Sequence, residues 1–386
     1  MKKKTSVWVL MILVVLFFLL ATTFANSSET VSASVSEFSI RNGINISEWM
    51  ERENSPYEHL DTLFSHPKID LLCSLGFDHI RIPVSETVLF DDSLTFRNAE
   101  LTLLHDRIGY AINKGLRVVL DFHHSRVHFF LKEKNVLFFD SSAEQHFLNA
   151  WSKLQQEFSL YSTDSLAYEC LNEPAAPINE HGKWNELVAK WVDLIRQKEK
   201  NRFLVIGSNR GNQLWAFKYL KIPQNDRKLI LSFHFYQPSV LTHYKAPWTE
   251  LNDYDGPAVY PGQTIPDSSY RRLPDSLKQK LKYGLSVYNK ESIRTEITNV
   301  VKISREYGIP LNVGEFGCRR NVPDLGARKR WIEDLVSLFE EYNISHTFWG
   351  MNGAGFGIWN YDRTIDSQLI KTLKGYKGLL SANEKK

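Results

Sequence analysis

The chain has 386 residues, 43% of them hydrophobic and 24% charged, which is ordinary globular composition and long enough for one large or two medium domains. A formal net charge of +3, scattered along the chain, excludes a nucleic-acid-binding protein of the usual basic kind. The aromatic excess (10 Trp, 16 Tyr, 23 Phe) suits stacking platforms or a large core and does not decide between them.

Met1-Lys2-Lys3-Lys4, an apolar run from Val7 to Leu20 and the small residues before Asn26 have the layout of a secretory signal over residues 1–25, or of an uncleaved anchor. The expectation is an exported protein, extracellular or periplasmic, with no stable membrane partner unless that signal is retained. Residues 26–37 read as a flexible lead-in. Cys73, Cys170 and Cys318 all sit in apolar stretches. An odd count suggests buried reduced thiols rather than a disulfide frame.

From Phe38 onward, short apolar strands alternate with helical segments. Strands are expected at 38–46, 79–83, 116–122, 166–171, 202–206, 228–235, 309–314 and 344–349. Helices are expected at 61–75, 99–113, 143–158 (with Ser142 as cap), 184–198, 291–307 and 325–342, and one beginning at Ser367. Strands buried on both faces and joined by crossover helices imply a parallel sheet. Eight strand-then-helix units fit a closed (β/α)₈ barrel, one domain over residues 38–380, better than an open doubly wound sheet. No glycine-rich phosphate loop follows the first strand. One connection is long: residues 237–290 carry Pro238, Pro247, Pro257, Pro261 and Pro266 together with Tyr244, Trp248, Tyr254, Tyr260 and Tyr270. It reads either as a wall of a substrate cleft or as a packing insertion.

The C-terminal ends of barrel strands face a common centre. The polar residues expected there are Arg81, Asp121 with His123 and His124, Asn172 with Glu173, His234 with Tyr236, Glu315, and the indole of Trp349. Buried barrel strands do not need such groups, and each costs desolvation unless paired. Glu173 precedes Pro174, which stops its strand. Two glutamates on two strand ends are what acid/base and nucleophilic chemistry on a sugar requires. No zinc spacing of Cys and His is present. Gly207-Ser208-Asn209-Arg210-Gly211 lacks the central serine of an esterase elbow.

The order Arg81, His123, Asn172-Glu173-Pro174, His234-x-Tyr236, Glu315, Trp349 resembles glycoside hydrolase family 5, the cellulase and mannanase family of the retaining (β/α)₈ clan, from about Gly43 to Trp349. The resemblance implies a retaining glycosidase acting on β-1,4-linked glucan, with mannan, xyloglucan and exo-acting β-glucan cleavage as alternatives. It also implies a polysaccharide or oligosaccharide substrate, no cofactor or metal, a monomer, and no carbohydrate-binding module. Carried over residue by residue, it makes Glu173 the acid/base and Glu315 the nucleophile, with Tyr236 orienting Glu315. Arg81 would favour the ionised nucleophile, and Asn172 would reach the sugar 2-hydroxyl. His123 and His234 would bond sugar hydroxyls or hold the acid/base, with His124 an alternative to His123. Trp349 would stack under the sugar at the point of cleavage. Trp49 is a candidate distal platform or a core residue, and Trp215 and Trp248 are further candidates. Of the rival carboxylates Glu48 and Glu169, Glu169 is expected below the site, paired to a base.

Overall fold

Eight parallel strands close on themselves: β1 (Asn42–Asn45), β2 (His79–Ser85), β3 (Arg117–His124), β4 (Leu166–Glu169), β5 (Leu204–Gly207), β6 (Leu229–Phe235), β7 (Leu311–Phe316) and β8 (Ser345–Phe348), with β8 pairing β1 to complete the ring. The computed structural model describes residues 37–53, 55–129, 135–353 and 355–375. The expected secretory signal, residues 1–25, and the expected lead-in, residues 26–37, lie outside the described residues except for Glu37, as does the end of the expected domain beyond residue 375. No helix among the described residues is long and apolar enough to cross a membrane.

The helices pack outside the barrel as the apolar periodicity predicts. Asn98–Asn113, Ser141–Phe158, His181–Arg196, Lys290–Tyr307 and Leu325–Tyr342 each bury one face, and Ser367–Leu373 closes the series. Two details differ from the sequence reading. The expected helix 61–75 is two helices, Tyr57–Leu63 and His66–Ser74. Pro67 lacks an N–H and fits only the first turn of a new helix, so the chain breaks before it. The cap of the Ser141–Phe158 helix is Asp140, whose carboxylate accepts from the backbone N–H groups of Ser142 and Ala143, not Ser142.

Alternation along each strand sorts the barrel interior into layers. The first strand starts at Asn42 and not at 38 as expected, and Phe38, ahead of it, joins Val119, Ala167, Phe203, Val205 and Ile230 in an apolar plug. Two residues further along β3 and β4 the inward positions become Asp121 and Glu169, which pair in register. The plug seals one end of the barrel and the charged layer above it carries the site.

The long connection is neither purely wall nor purely filler. Tyr244, Tyr254 and Tyr260 are buried, and Tyr260 donates a 2.7 Å hydrogen bond to Asp334 on the Leu325–Tyr342 helix. Gly262–Gln263 and Val287–Tyr288 pair as a small antiparallel ribbon, and Gln237 and Tyr288 line the cleft. Cys170 and Cys318 are buried free thiols as expected, whereas Cys73 is partly exposed.

Candidate active site

Arg81 points up from β2 into the barrel axis and is almost wholly buried. Its Nε and Nη2 donate to the two oxygens of Glu169 at 2.7 and 3.0 Å. Nη1 donates to Asn45 at 2.8 Å and to Glu315 at 2.9 Å, and Nη2 also donates to Asn172 Oδ1 at 2.8 Å. Asp121 Oδ2 lies 2.9 Å from the same nitrogen. The rival carboxylate Glu169 is therefore where the sequence placed it, beneath the site and paired to a base. Glu48 lies elsewhere, in an ion pair with Arg52.

Glu315 reaches the axis because β7 is bulged. Phe233 of β6 faces Val313, but His234 faces Glu315, so Gly314 is skipped. A side chain at 314 would collide with the Ser232 hydroxyl, its Cβ arriving 2.6 Å away. The bulge turns Glu315 inward, where strict alternation would have turned it out. Its oxygens accept from Arg81 and, at 3.0 Å, from the Tyr236 hydroxyl. Glu173 lies just past β4 and takes a 2.8 Å hydrogen bond from His234 Nδ1, which is 3.6 Å from Glu315.

An oxygen of Glu173, a nitrogen of His234 and an oxygen of Glu315 all lie within 4.8 Å of one another. Such a trio could share protons or hold a cation. The guanidinium already 2.9 Å from Glu315 opposes a second positive charge there.

Burial pushes the Glu173 carboxyl up to about 7, with the Arg81 charge opposing it. Burial also pushes Glu315 up to about 7, against the pull of His234 and Arg81. Hydrogen bonding separates the two. Glu315 accepts from a guanidinium and a phenol, while Glu173 accepts only from a histidine that burial keeps neutral. Of the pair, Glu315 is the better place for the negative charge and Glu173 for the proton.

His123 continues the inward face of β3 and bonds Asp121 at 2.6 Å through Nδ1. Its ring stacks on Trp349 with centroids 5.7 Å apart and planes 13° apart. His124 belongs to the next position of the alternation and packs edge-on against Phe129. The structure thus brings together all eight sequence-predicted positions, Arg81, His123, Asn172, Glu173, His234, Tyr236, Glu315 and Trp349.

Trp49 does not join them. It is fully buried, and its indole N–H donates to Leu60 O at 2.8 Å, so it is a core residue and not a platform. Trp215 and Trp248 are each 44% exposed. Trp215 helps line a cleft of about 430 Å³ that opens beside Glu173 and Tyr236, together with Gln213, Tyr288 and Glu296. Trp248 lies under the Arg319 guanidinium, 5.2 Å from its carbon.

The sequence reading missed Glu296 and the Asn209–Asn212 turn. Glu296 gives no signal, since a helix glutamate is usually solvated. Asn209-Arg210-Gly211-Asn212 does give one, a cluster of residues that tolerate left-handed backbone.

With this geometry in place the comparisons are specific. The sequence model described as cellulase (glycosyl hydrolase family 5) matches residues 46–355. The chain belongs to glycosyl hydrolase family 5. It is a glycoside hydrolase of the cellulase type. Endoglucanase C of Acetivibrio thermocellus is 30% identical over 347 residues, covering 87% of this chain and 98% of that protein. Cellodextrinase A of Ruminococcus flavefaciens is 25% identical over 305 residues, covering 78% and 83%. In fold, the chain matches endoglucanase Cel5A of Thermotoga maritima, solved with mannotriose, at a TM-score of 0.68, with 22% identity and coverage of 86% of this chain and 97% of that one.

Proposed function

We propose that this family 5 hydrolase is an exported endo-acting β-1,4-glucanase that cleaves with retention of anomeric configuration. The mechanistic part is supported by one oxygen of Glu173 and one of Glu315 lying within 4.8 Å of each other, too close for the wider spacing of an inverting pair. Retaining enzymes keep their carboxyl groups about 5–5.5 Å apart, whereas inverting ones need roughly 6.5–9.5 Å to seat a water. In the first step Glu315 attacks the anomeric carbon while Glu173 gives its proton to the glycosidic oxygen, and the leaving sugar departs with a free hydroxyl. In the second step Glu173 takes a proton from water, which attacks the glycosyl ester and frees Glu315. Arg81 and Tyr236 keep Glu315 anionic and aimed. Asn172 lies beside Glu173, placed to meet the 2-hydroxyl, and Trp349 supplies an apolar face for the ring.

The substrate assignment draws on the endoglucanase relative that spans nearly the whole chain. Mannan is the second reading, favoured by the mannotriose bound to the Thermotoga neighbour. Export draws on the basic-then-apolar first residues, and a monomer is the oligomeric state expected. Hydrolysis of cellulose, mixed-linkage glucan, xyloglucan and mannan, with products followed by NMR, tests substrate and stereochemistry together. Rapid loss of mean chain length and a β-configured first product are expected. An α-configured first product would refute retention, and cleavage of mannan alone would replace the glucan assignment. Glu315→Gln should abolish turnover of every substrate. Glu173→Ala should spare substrates with good leaving groups in the first step, and azide should partly restore the second.

A further inference from the structure

Immediately after β5 the backbone takes a path that side chains resist. Arg210, Gly211 and Asn212 have φ of 65°, 75° and 55°, three left-handed residues in a row, two of them not glycine. The contacts of this turn converge on the segment that carries Glu173. Gly211 N–H donates to Pro174 O at 3.1 Å. Asn209 clamps Ala176 from both sides, its Oδ1 accepting from the backbone N–H at 2.9 Å and its Nδ2 donating to the carbonyl at 3.1 Å. Asn212 Nδ2 donates to Asn172 O. That bond fixes which end of the Asn212 amide is nitrogen, because a carbonyl accepts only from a donor.

The same nitrogen lies 3.4 Å from His234 Nε2. An amide N–H facing a ring nitrogen requires that nitrogen to be bare, so the ring proton sits on Nδ1. Nδ1 is the atom 2.8 Å from Glu173 Oε1. Oε1 therefore accepts, and the proton of the neutral carboxyl belongs on Oε2. A Cβ added at Gly211 would stand 3.9 Å from Oε2, so the absent side chain leaves that oxygen open to the cleft that both residues line. Asn212 Oδ1 is buried with no hydrogen-bond partner among the described residues, as expected of a side chain placed for its nitrogen.

We propose that Asn212 is a positioning residue for general acid catalysis. By setting the tautomer of His234 it decides which oxygen of Glu173 carries the transferable proton, and the left-handed turn exists to hold it there. The inference rests on the acid/base reading of Glu173, and the test separates the two. Asn212→Gly suits the left-handed backbone and removes the donor. Asn212→Asp keeps the size but puts a carboxylate acceptor where the donor stood, which favours the opposite tautomer with the proton on Nε2. Each variant is measured by kcat/KM on 2,4-dinitrophenyl β-cellobioside, whose leaving group needs no acid, and on phenyl β-cellobioside, whose leaving group does.

The expected result is about a tenfold loss on the phenyl substrate and less than a twofold loss on the dinitrophenyl one, since general acid catalysis helps only poor leaving groups. Asn212→Gly gives up the bond to Asn172 O but relieves a left-handed non-glycine residue, so its melting temperature should stay within a few degrees of the parent's. Equal losses on both substrates, or no loss on either, would overturn the proposal. Glu173→Ala is run beside them. If it shows no dependence on the leaving group, the acid/base reading falls. If it does and the Asn212 variants do not, only the tautomer argument falls.

Discussion

Beneath the cleft, Arg81 uses every N–H it has, on Glu169, Asn45, Asn172 and Glu315. At the rim, Trp215 and Trp248 leave 44% of their surface in solvent, and Trp215 makes one polar contact, to Gln213 at 2.7 Å. The guanidinium at the floor is saturated with hydrogen bonds; the rim is open, with exposed indoles among polar side chains. A buried charge tolerates no substitute because its partners would be left unpaired, whereas an exposed ring can be exchanged at little cost to folding. The floor should therefore hold the chemistry constant while the rim sets which chain is bound.

The sharpest way to break this contrast is Arg81→Lys. A lysine offers three donors from one point and cannot fork between Glu169 and Glu315. The expected cost is about 3–5 kcal/mol of stability in urea unfolding, with kcat/KM lowered more than about a hundredfold. A variant within about 1 kcal/mol of the parent would mean that the floor is not a single charged unit.

A smaller effect should appear as a pH slope at Asp121. Burial pushes this carboxyl up to about 7, with the Arg81 charge opposing and Glu173 adding to the rise. Its folded pKa lies above the unfolded value of about 3.9. Between those limits the native state holds a proton that the unfolded chain has released. The group's contribution to stability is present below the unfolded pKa and is lost as pH rises toward 7. A carboxamide in its place cannot titrate, so Asp121→Asn should gain on the parent as pH is raised from 4 to 7. The slopes of Glu173 and Glu315 remain in both proteins, shifted in the variant by loss of the Asp121 charge that helps raise Glu315. A difference that does not change with pH would show that Asp121 stays ionised against Arg81.

Much of the floor is legible in the sequence because it obeys periodicity. Eight apolar strands with polar ends announce a barrel, and alternation along β3 puts Asp121 and His123 on one face without any coordinates. Position along a strand does not reveal bulges. Glu315 is found by its residue type and neighbours, whereas the slip at Gly314 that turns it inward is a property of pairing between strands. Sequence leaves the Trp49 alternatives open because an indole after β1 suits a platform and a core alike. Only the depth of Leu60 and Phe64 around it decides for the core. The break before Pro67 has a signal in the proline itself, but the apolar spacing continues across it and hides it. The rim is least legible, because Tyr288 and Glu296 come to Glu173 from more than a hundred residues away, carried by the insertion and the helix that follows it.

The smallest expected effect is at the rim itself. Trp215→Ala removes a half-exposed ring whose neighbours along the cleft are Gln213, Leu214 and Tyr288. Stacking of that kind contributes about 0.5–1.5 kcal/mol, so KM for long cello-oligosaccharides should rise about two- to tenfold. kcat should stay close to the parent value, because binding lost equally from ground and transition states does not slow the chemical step. Unfolding free energy should move by less than about 0.5 kcal/mol, in contrast to the floor. Substrates too short to reach residue 215 supply the internal control, and their KM should not change. If short and long substrates weaken alike, Trp215 acts through the shape of the Asn209–Asn212 turn next to it and not as a platform, and the division between a fixed floor and an adjustable rim would have to be redrawn at that turn.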